Sequence, residues 1–266
     1  MTPAHLVKRL LQGRRSWLVG ALRDRIRPAH PSFSTSAART LLGGTALEIG
    51  GPSRLFRPGG GLPAYAWLKR IDNVNFAGST AWESGLREGG EFRFNRELPA
   101  GRQFIREAVS LAGIEDAAYD AILSCHCLEH VANPLAALCE WRRVTRKGGS
   151  LVLVLPDPAR TFDRRRPVTT HSHLVSDYQL QTGEGDLTHL EEVLTLHDRS
   201  LDPAAGNSED FAARSRANAK HRCLHHHVFN LDLIREALAE TGWLAFSAEK
   251  LPPIHLVAWA VNPPDP

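Results

Sequence analysis

Tyr119-Asp120-Ala121-Ile122-Leu123-Ser124 opens the stretch whose reading decides the architecture, residues 119–156. These six residues read as a strand entering from a turn. Asn133-Pro134 then predicts a helix start, with Asn133 as N-cap and Pro134 at the first helical position, where its missing N–H costs nothing. Leu135, Leu138, Trp141 and Val144 recur at helical spacing. Lys147-Gly148-Gly149 is expected to stop the helix, with a cation near its negative end and glycine free to turn left-handed. Leu151-Val152-Leu153-Val154-Leu155 follows as a wholly apolar strand ending at Pro156-Asp157. A strand–helix–strand run without a polar strand face is a unit of a parallel sheet covered on both sides.

Toward the N-terminus, Thr45-Ala46-Leu47-Glu48-Ile49-Gly50-Gly51-Pro52-Ser53 reads as another buried strand that turns sharply at its carboxyl end. That end is where open α/β sheets bind ligands. Gly50 and Gly51 permit backbone angles closed to other residues and let a ligand approach the main chain. Glu48 suits a cationic cofactor and would repel a pyrophosphate. Alone, E-x-G-G fits an ordinary strand-to-helix turn equally well. Residues 69–74 predict a second strand, although Asn73 and Asn75 weaken it. Asp72 lies near the offset of about 20 residues at which an acid meets ribose hydroxyls, and it fits a turn or cap equally well. Phe104 to Leu111 predicts a short third strand, placing Glu107-Ala108 beside a bound base.

Toward the C-terminus, Asn230 caps a helix through Leu231, Ile234 and Leu238 that stops at Gly242. Residues 243–250 and 255–261 then predict an antiparallel pair, and 263–266 a disordered tail.

Taken together, Tyr119 to Ser124, Leu128-Glu129-His130, Asn133-Pro134, Leu138, Trp141-Arg142-Arg143-Val144, Lys147-Gly148-Gly149 and the first motif Leu47-Glu48-Ile49-Gly50-Gly51 resemble class I S-adenosylmethionine-dependent methyltransferases, nearest to the type 11 group. The resemblance covers residues 45–160 and the C-terminal strands. It implies an α/β, Rossmann-like methyltransferase fold: a mostly parallel seven-stranded sheet with helices on both faces and a histidine-rich insertion after strand five. The corresponding domains are a basic helical arm (1–40) and a methyltransferase domain (41–266), with a substrate-side insertion at 160–228. The resemblance also implies that Glu48, Gly50 and Gly51 hold the methionine moiety of S-adenosylmethionine, Asp72 the ribose, and Glu107 and Ala108 the adenine. Ser124 to His126 would form the floor. The third glycine usual in the family is absent, with Pro52 and Ser53 in its place, so a differently shaped cofactor loop is expected.

The 266 residues accommodate one sizeable α/β domain with an insertion. The net charge of +3 conceals an asymmetry, because residues 1–40 hold eight Lys/Arg against Asp24 alone and the rest holds 24 against 28 acids. Residues 4–27 predict a basic amphipathic helix. It reads as a helix on the domain edge, as peripheral contact with anionic lipid, or as an organellar presequence. The acidic body lacks a basic stripe or aromatic platform, which argues against a nucleic-acid partner. No apolar run reaches the ~18 residues of a membrane span. Cys125, Cys127, Cys139 and Cys223 have no C-x-x-C spacing and read as reduced thiols, pointing to a cytoplasmic protein.

Methyl transfer from a sulfonium asks the protein to align a nucleophile and, for a hydroxyl, to take its proton. Eight of the thirteen histidines fall between 160 and 227, interleaved with acids. Candidate bases are His126, His171 and His226, with His173, His225 and His227 beside them, since histidine titrates near neutrality. Alternatively, several histidines bind a divalent metal that activates the hydroxyl. His171-x-His173 and His225–His227 are plausible ligand pairs but lack zinc-finger or H-E-x-x-H spacing, so the sequence assigns no ligands. His126, Glu129 and His130 resemble the acid/histidine group of some quinone O-methyltransferases. Any single histidine can equally be structural. Arg164-Arg165-Arg166 can bind an acceptor's phosphate or carboxylate, or lie in a solvated loop. The expected activity is O-methylation of a small polar acceptor, a saccharide or secondary metabolite. N-methylation and a non-catalytic methyltransferase-like scaffold are the alternatives.

Overall fold

The computed structural model describes residues 41–94 and 99–264. The basic arm expected in residues 1–40 lies outside the described residues, as do Asp265 and Pro266 of the tail.

Eight strands form one sheet: β1 (Gly44–Ile49), β2 (Leu68–Asn75), β3 (Glu91–Phe92), β4 (Gly101–Ile105), β5 (Tyr119–Cys125), β6 (Thr145–Pro156), β7 (Leu244–Leu251) and β8 (His255–Val261). Their order is β3-β4-β2-β1-β5-β6-β8-β7. β4, β2, β1, β5 and β6 run parallel, whereas β8 is antiparallel to both β6 and β7. The expected closing pair is therefore present. The sheet has one strand more than expected because β3 adds an antiparallel edge to β4.

Among the described residues six α-helices follow the central strands: α1 (Pro134–Val144), α2 (His171–Leu180), α3 (Leu190–Leu196), α4 (Ser208–Arg216), α5 (Asn218–His221) and α6 (Leu231–Glu240). Asn133 caps α1 by accepting from Ala136 N at 3.0 Å, and Asn230 caps α6 by accepting from Leu233 N at 2.8 Å. The apolar stripe of α1 (Leu135, Leu138, Trp141, Val144) is buried with Leu233, Ile234 and Leu238 of α6 against Leu47, Ile122, Leu151 and Leu153 of the sheet. Each such side chain contributes about 1.5–3 kcal/mol when fully buried.

Three expectations change in detail. Helix α1 ends at Val144, before the Lys147-Gly148-Gly149 stop. Thr145 already belongs to β6 and is held there by Asn262, whose Nδ2 donates to Thr145 O at 2.7 Å. The third parallel strand starts and stops earlier than 104–111. At Gly101 a Cβ would lie 1.6 Å from Ile71 O, so only glycine lets β4 begin there, and from Arg106 the chain turns away. Among the described residues the second sheet face carries no α-helix. Ala46, Leu123, Val152 and Trp259 on that face are covered by Leu41, Phe56, Leu62 and Tyr65, in two short 3₁₀ segments and the loops around them.

Residues 160–228 hold α2–α5 and bury a small cluster of their own, Val193, Ala205, Phe211 and Leu224. The segment connects β6 to α6 and overlies the carboxyl ends of the sheet.

Candidate active site

The carboxyl ends of β1, β2, β4 and β5 surround a cavity of about 280 Å³. β1 supplies Ile49 and Gly50, β2 supplies Asn75 and Phe76, and β4 leads into Arg106, Glu107 and Ala108. β5 leads into Cys125, His126 and Cys127, while His130, Glu184 and Arg222 close the far side. β1 lies between β2 and β5, so the cavity sits where the strand order reverses, the ligand position of open α/β sheets.

Glu48 is not a wall of this cavity. Its side chain points to the second sheet face, fully buried beside Tyr65. It accepts from the Tyr65 hydroxyl and, at 2.9 Å, from Ser53 N. Burial raises its carboxyl above the usual range, and these donors oppose the rise. The role expected of Glu48 is therefore displaced from the ligand to the loop, which it fastens from behind. Gly51 is the space into which the carboxylate fits, because a Cβ there would lie 2.2 Å from Glu48 Cδ. Gly51 O accepts from Asn73 Nδ2 at 3.1 Å and Asn75 Nδ2 at 3.2 Å. Gly50, at φ +81°, faces the cavity, and a Cβ there would meet Cys127 Sγ at 3.0 Å. Asn73 and Asn75, which weaken β2 as a strand in sequence, are thus the buried supports of the glycine turn.

Asp72 lies apart from the cavity. The expected ribose contact fails on register: Asp72 sits beside Leu47, three residues before β2 ends at Asn75. There it pairs with Arg70 at 2.9 Å and accepts from Arg102 N at 2.8 Å and the Tyr119 hydroxyl at 2.8 Å. Asp72→Ala is expected to lower thermal stability while leaving affinity for S-adenosylhomocysteine within about twofold, as calorimetry would read; a large affinity loss would return Asp72 to the ligand. Glu107 and Ala108 do line the cavity. Ala108 O is fixed by the indole Nε1 of Trp141 at 2.9 Å, which ties α1 packing to the wall. Ser124 lies beneath the floor, fully buried, with an unpartnered hydroxyl; Cys125 and His126 form the floor itself.

Of the three histidines singled out as bases, one is at the cavity. His126 lines it at φ +51°, its Nε2 2.9 Å from His255 Nδ1. His171 lies on α2 and faces Glu240 of α6 at 3.5 Å, away from the cavity, because a helix start at Thr170 directs it there. His226 is buried behind the wall, with Nε2 3.1 Å from Asn218 Nδ2. His130 takes the position that sequence reasoning gave to those two. It lines the cavity beside Trp82, and its Nδ1 is 3.1 Å from Leu224 O, which leaves Nε2 as the acceptor nitrogen. Behind it stand Glu129, with both carboxylate oxygens unpartnered, and His225, bound through Nδ1 to Asp163 at 2.5 Å. Glu129, His130 and His225 bring ligand-type atoms within 4.8 Å of one another. Burial lifts the Glu129 carboxyl to about 7. Burial, then the neighbouring His225, holds His130 well below the ordinary imidazole range.

The three arginines of the cluster face acids of the insertion. Arg166 is buried and pairs with Asp163 at 3.0 Å and Glu192 at 2.7 Å, while Arg164 and Arg165 both face Asp198. Arg222 lines the cavity with Arg54 and Arg106, and it pairs with Glu184 at 2.6 Å and Glu107 at 2.8 Å over the Phe76 ring. No spacing rule singles it out in the sequence.

Burial, and secondarily His255, pushes His126 down to about 3. Folded His126 is thus neutral across the range in which an unfolded histidine, at about 6.5, gains its proton. Between those values the unfolded chain binds more protons, so stability is full above about pH 6.5 and falls as pH drops toward 3. His130 adds in the same direction. The melting temperature is expected to decline steadily below pH 6.5, and His126→Gln to flatten that decline; an unaltered slope in the variant would contradict the burial argument.

A protein-family model described as "Methyltransferase domain" matches residues 58–153. The match spans β2 through β6 and begins after the glycine turn. No curated protein matches the chain. Among solved structures, the Burkholderia thailandensis 1,6-didemethyltoxoflavin-N1-methyltransferase, solved with 1,6-didemethyltoxoflavin and S-adenosylhomocysteine, is 13% identical, with 99% of this chain and 92% of that chain covered and a TM-score of 0.48. An S-adenosylmethionine-dependent methyltransferase from Mesorhizobium loti is 12% identical, with 88% and 98% covered and a TM-score of 0.48. One from Aquifex aeolicus is 13% identical, with 87% and 88% covered and a TM-score of 0.45. No described helix is long and apolar enough to cross a membrane. Residues 58–153 therefore match a methyltransferase-domain model within a parallel sheet that an antiparallel pair closes and that holds a cavity at its switch point.

Proposed function

We propose that this methyltransferase acts on a hydroxyl oxygen of a small polar acceptor, a saccharide or a secondary metabolite, and that His130 accepts the hydroxyl proton. The observation that carries the reading is the wall opposite the glycine turn. There a half-buried imidazole, with Nδ1 committed to Leu224 O, lines the same cavity as Gly50 and Ala108. A sulfonium cofactor supplies an activated methyl group, and the protein's task is then alignment and proton removal.

The residues fit that cofactor. Gly50 leaves open main chain at the end of β1, Asn75 and Phe76 border the ribose position in place of Asp72, and Glu107-Ala108 border the base. Held neutral by its surroundings, His130 is ready to accept a proton at Nε2. The Glu129 carboxyl behind it, when ionised, favours the imidazolium that results, whereas the neighbouring His225 opposes it. Trp82 lies 5.3 Å from the His130 ring, giving a flat apolar surface for a sugar or aromatic ring.

The test is transfer of labelled methyl from S-adenosylmethionine across a panel of sugar, phenol and amine acceptors. Methylated hydroxyls are expected; transfer to amines alone, with every hydroxyl inert, would defeat the oxygen assignment. His130→Gln should lower kcat by about 10²–10⁴, the usual contribution of a general base, with S-adenosylhomocysteine affinity retained. Equal kcat in the variant would remove His130 from the role.

A further inference from the structure

We propose that His173, His189, His227 and Asp177 form a four-ligand site for a divalent transition metal of the zinc type, which fastens the insertion to the cavity wall. The four side chains come from three separate segments. His173 and Asp177 lie one turn apart on α2, His189 immediately precedes α3, and His227 lies in the extended run before α6.

Their geometry is that of a coordination shell. The three histidines bring one nitrogen each within 4.8 Å of one another. His173 Nε2 is 3.0 Å from His189 Nε2 and 3.2 Å from Asp177 Oδ2, and His227 Nε2 is 3.6 Å from the same oxygen. Tetrahedral ligands on a metal at about 2.0–2.1 Å stand about 3.3 Å apart, in the middle of these values. The ring centroids lie 4.9, 5.5 and 5.7 Å apart, as three imidazoles arranged around one point would be.

One oxygen at the centre is left without a hydrogen bond. Asp177 Oδ2 is buried without a hydrogen-bond partner, while Oδ1 accepts from Thr182 Oγ1 at 3.0 Å, which orients the carboxylate for single-oxygen ligation. His227 is 1% exposed. Imidazole nitrogens with one carboxylate suit zinc or cobalt rather than magnesium or calcium.

The site lies behind the cavity, and none of the four residues lines it. It reaches the wall through the loop that follows Val131. Asn133 Nδ2, next to that loop's Ala132, donates to Asp177 O at 3.0 Å. The proposed role is therefore attachment, distinct from hydroxyl activation, and it does not depend on which atom of the acceptor is methylated.

The experiment uses the full chain. Elemental analysis of the purified protein is expected to find about one zinc-type ion per chain. After chelation, cobalt(II) titration should restore one site with the intense visible absorption of four-coordinate cobalt. His173→Ala/His189→Ala, at two half-buried positions, should weaken cobalt binding at least 100-fold and abolish the band, and Asp177→Asn should shift it. Circular dichroism and S-adenosylhomocysteine titration of the same preparations establish that each variant is folded. Chelation should lower the melting temperature of the unaltered chain and leave that of the double variant unmoved. Wild-type protein without bound metal and without a four-coordinate cobalt spectrum would overturn the proposal. So would cobalt binding lost in His130→Ala but kept in the double variant, which would move the ion to the Glu129–His130–His225 group.

Discussion

Gly51→Ala is expected to cost on the order of 100-fold in affinity for S-adenosylhomocysteine, the upper range of what overpacking does to a close-packed site. The added methyl would sit 2.2 Å from the carboxyl carbon of Glu48, so either the acid or the turn must move. The acid is held by Tyr65 and Ser53 within a buried apolar face, and Gly51 O is held by Asn73 and Asn75. Strain therefore emerges at Gly50, which faces the cavity. Glu48→Ala reaches the same outcome from the opposite side, by freeing Ser53 N and leaving the Tyr65 hydroxyl without its acceptor. Calorimetric titration of both variants provides the check. Affinity preserved in Gly51→Ala would mean that the turn is not part of the cofactor's seat.

Arg166→Met is expected to cost about 3–5 kcal/mol, the range for leaving one partner of a buried ion pair uncompensated. Arg166 and Asp163 are 1% and 3% exposed at their side chains, and the guanidinium also donates to His225 O at 2.9 Å. Its loss leaves Asp163 with His225 alone; with both partners present, His225 and Arg166 outweigh the opposing effect of burial and hold the carboxyl near 2. Denaturant titration would give the magnitude. Proteolysis mapped to residues 160–228 would show the damage localised there. A loss below about 1 kcal/mol would mean that Asp163 is satisfied without the arginine. Arg166→Lys should recover little, since one ammonium cannot meet two carboxylates and a carbonyl in a plane.

The core was legible in the sequence where one physical signal dominated. Asn133-Pro134 and the stripe Leu135, Leu138, Trp141 and Val144 specify α1, and 151–155 can only be an interior strand. Boundaries were lost where tertiary contacts overrode local signals. Asn262 captures Thr145 for β6 three residues before the glycine stop, and Gly101 starts β4 early because a neighbouring carbonyl fills its Cβ space. The site was half legible. Gly50, Glu107, Ala108 and His126 follow from motif and strand ends and do meet at one cavity. Spacing alone could not say which sheet face Glu48 takes, nor that Asp72 stops three residues short of the edge. The histidines of the insertion were countable but not assignable, because their partners come from separate segments that only the fold brings together.

Arg222 gives the molecule a seam with consequences for protein engineering. Under the proposed function, most cofactor-side residues lie before position 128 and the acceptor-side helices after 160, so exchanging the insertion for that of a methyltransferase is an obvious way to alter selectivity. Such a graft would remove the one guanidinium that separates Glu107, on the retained half, from Glu184, on the half replaced. A donor insertion that brings an acid without its own cation would set two carboxylates against each other across the Glu107 side of the cavity. Compatible donors are therefore recognised by a basic residue at this junction, a criterion that can be applied to a candidate before any chimera is made.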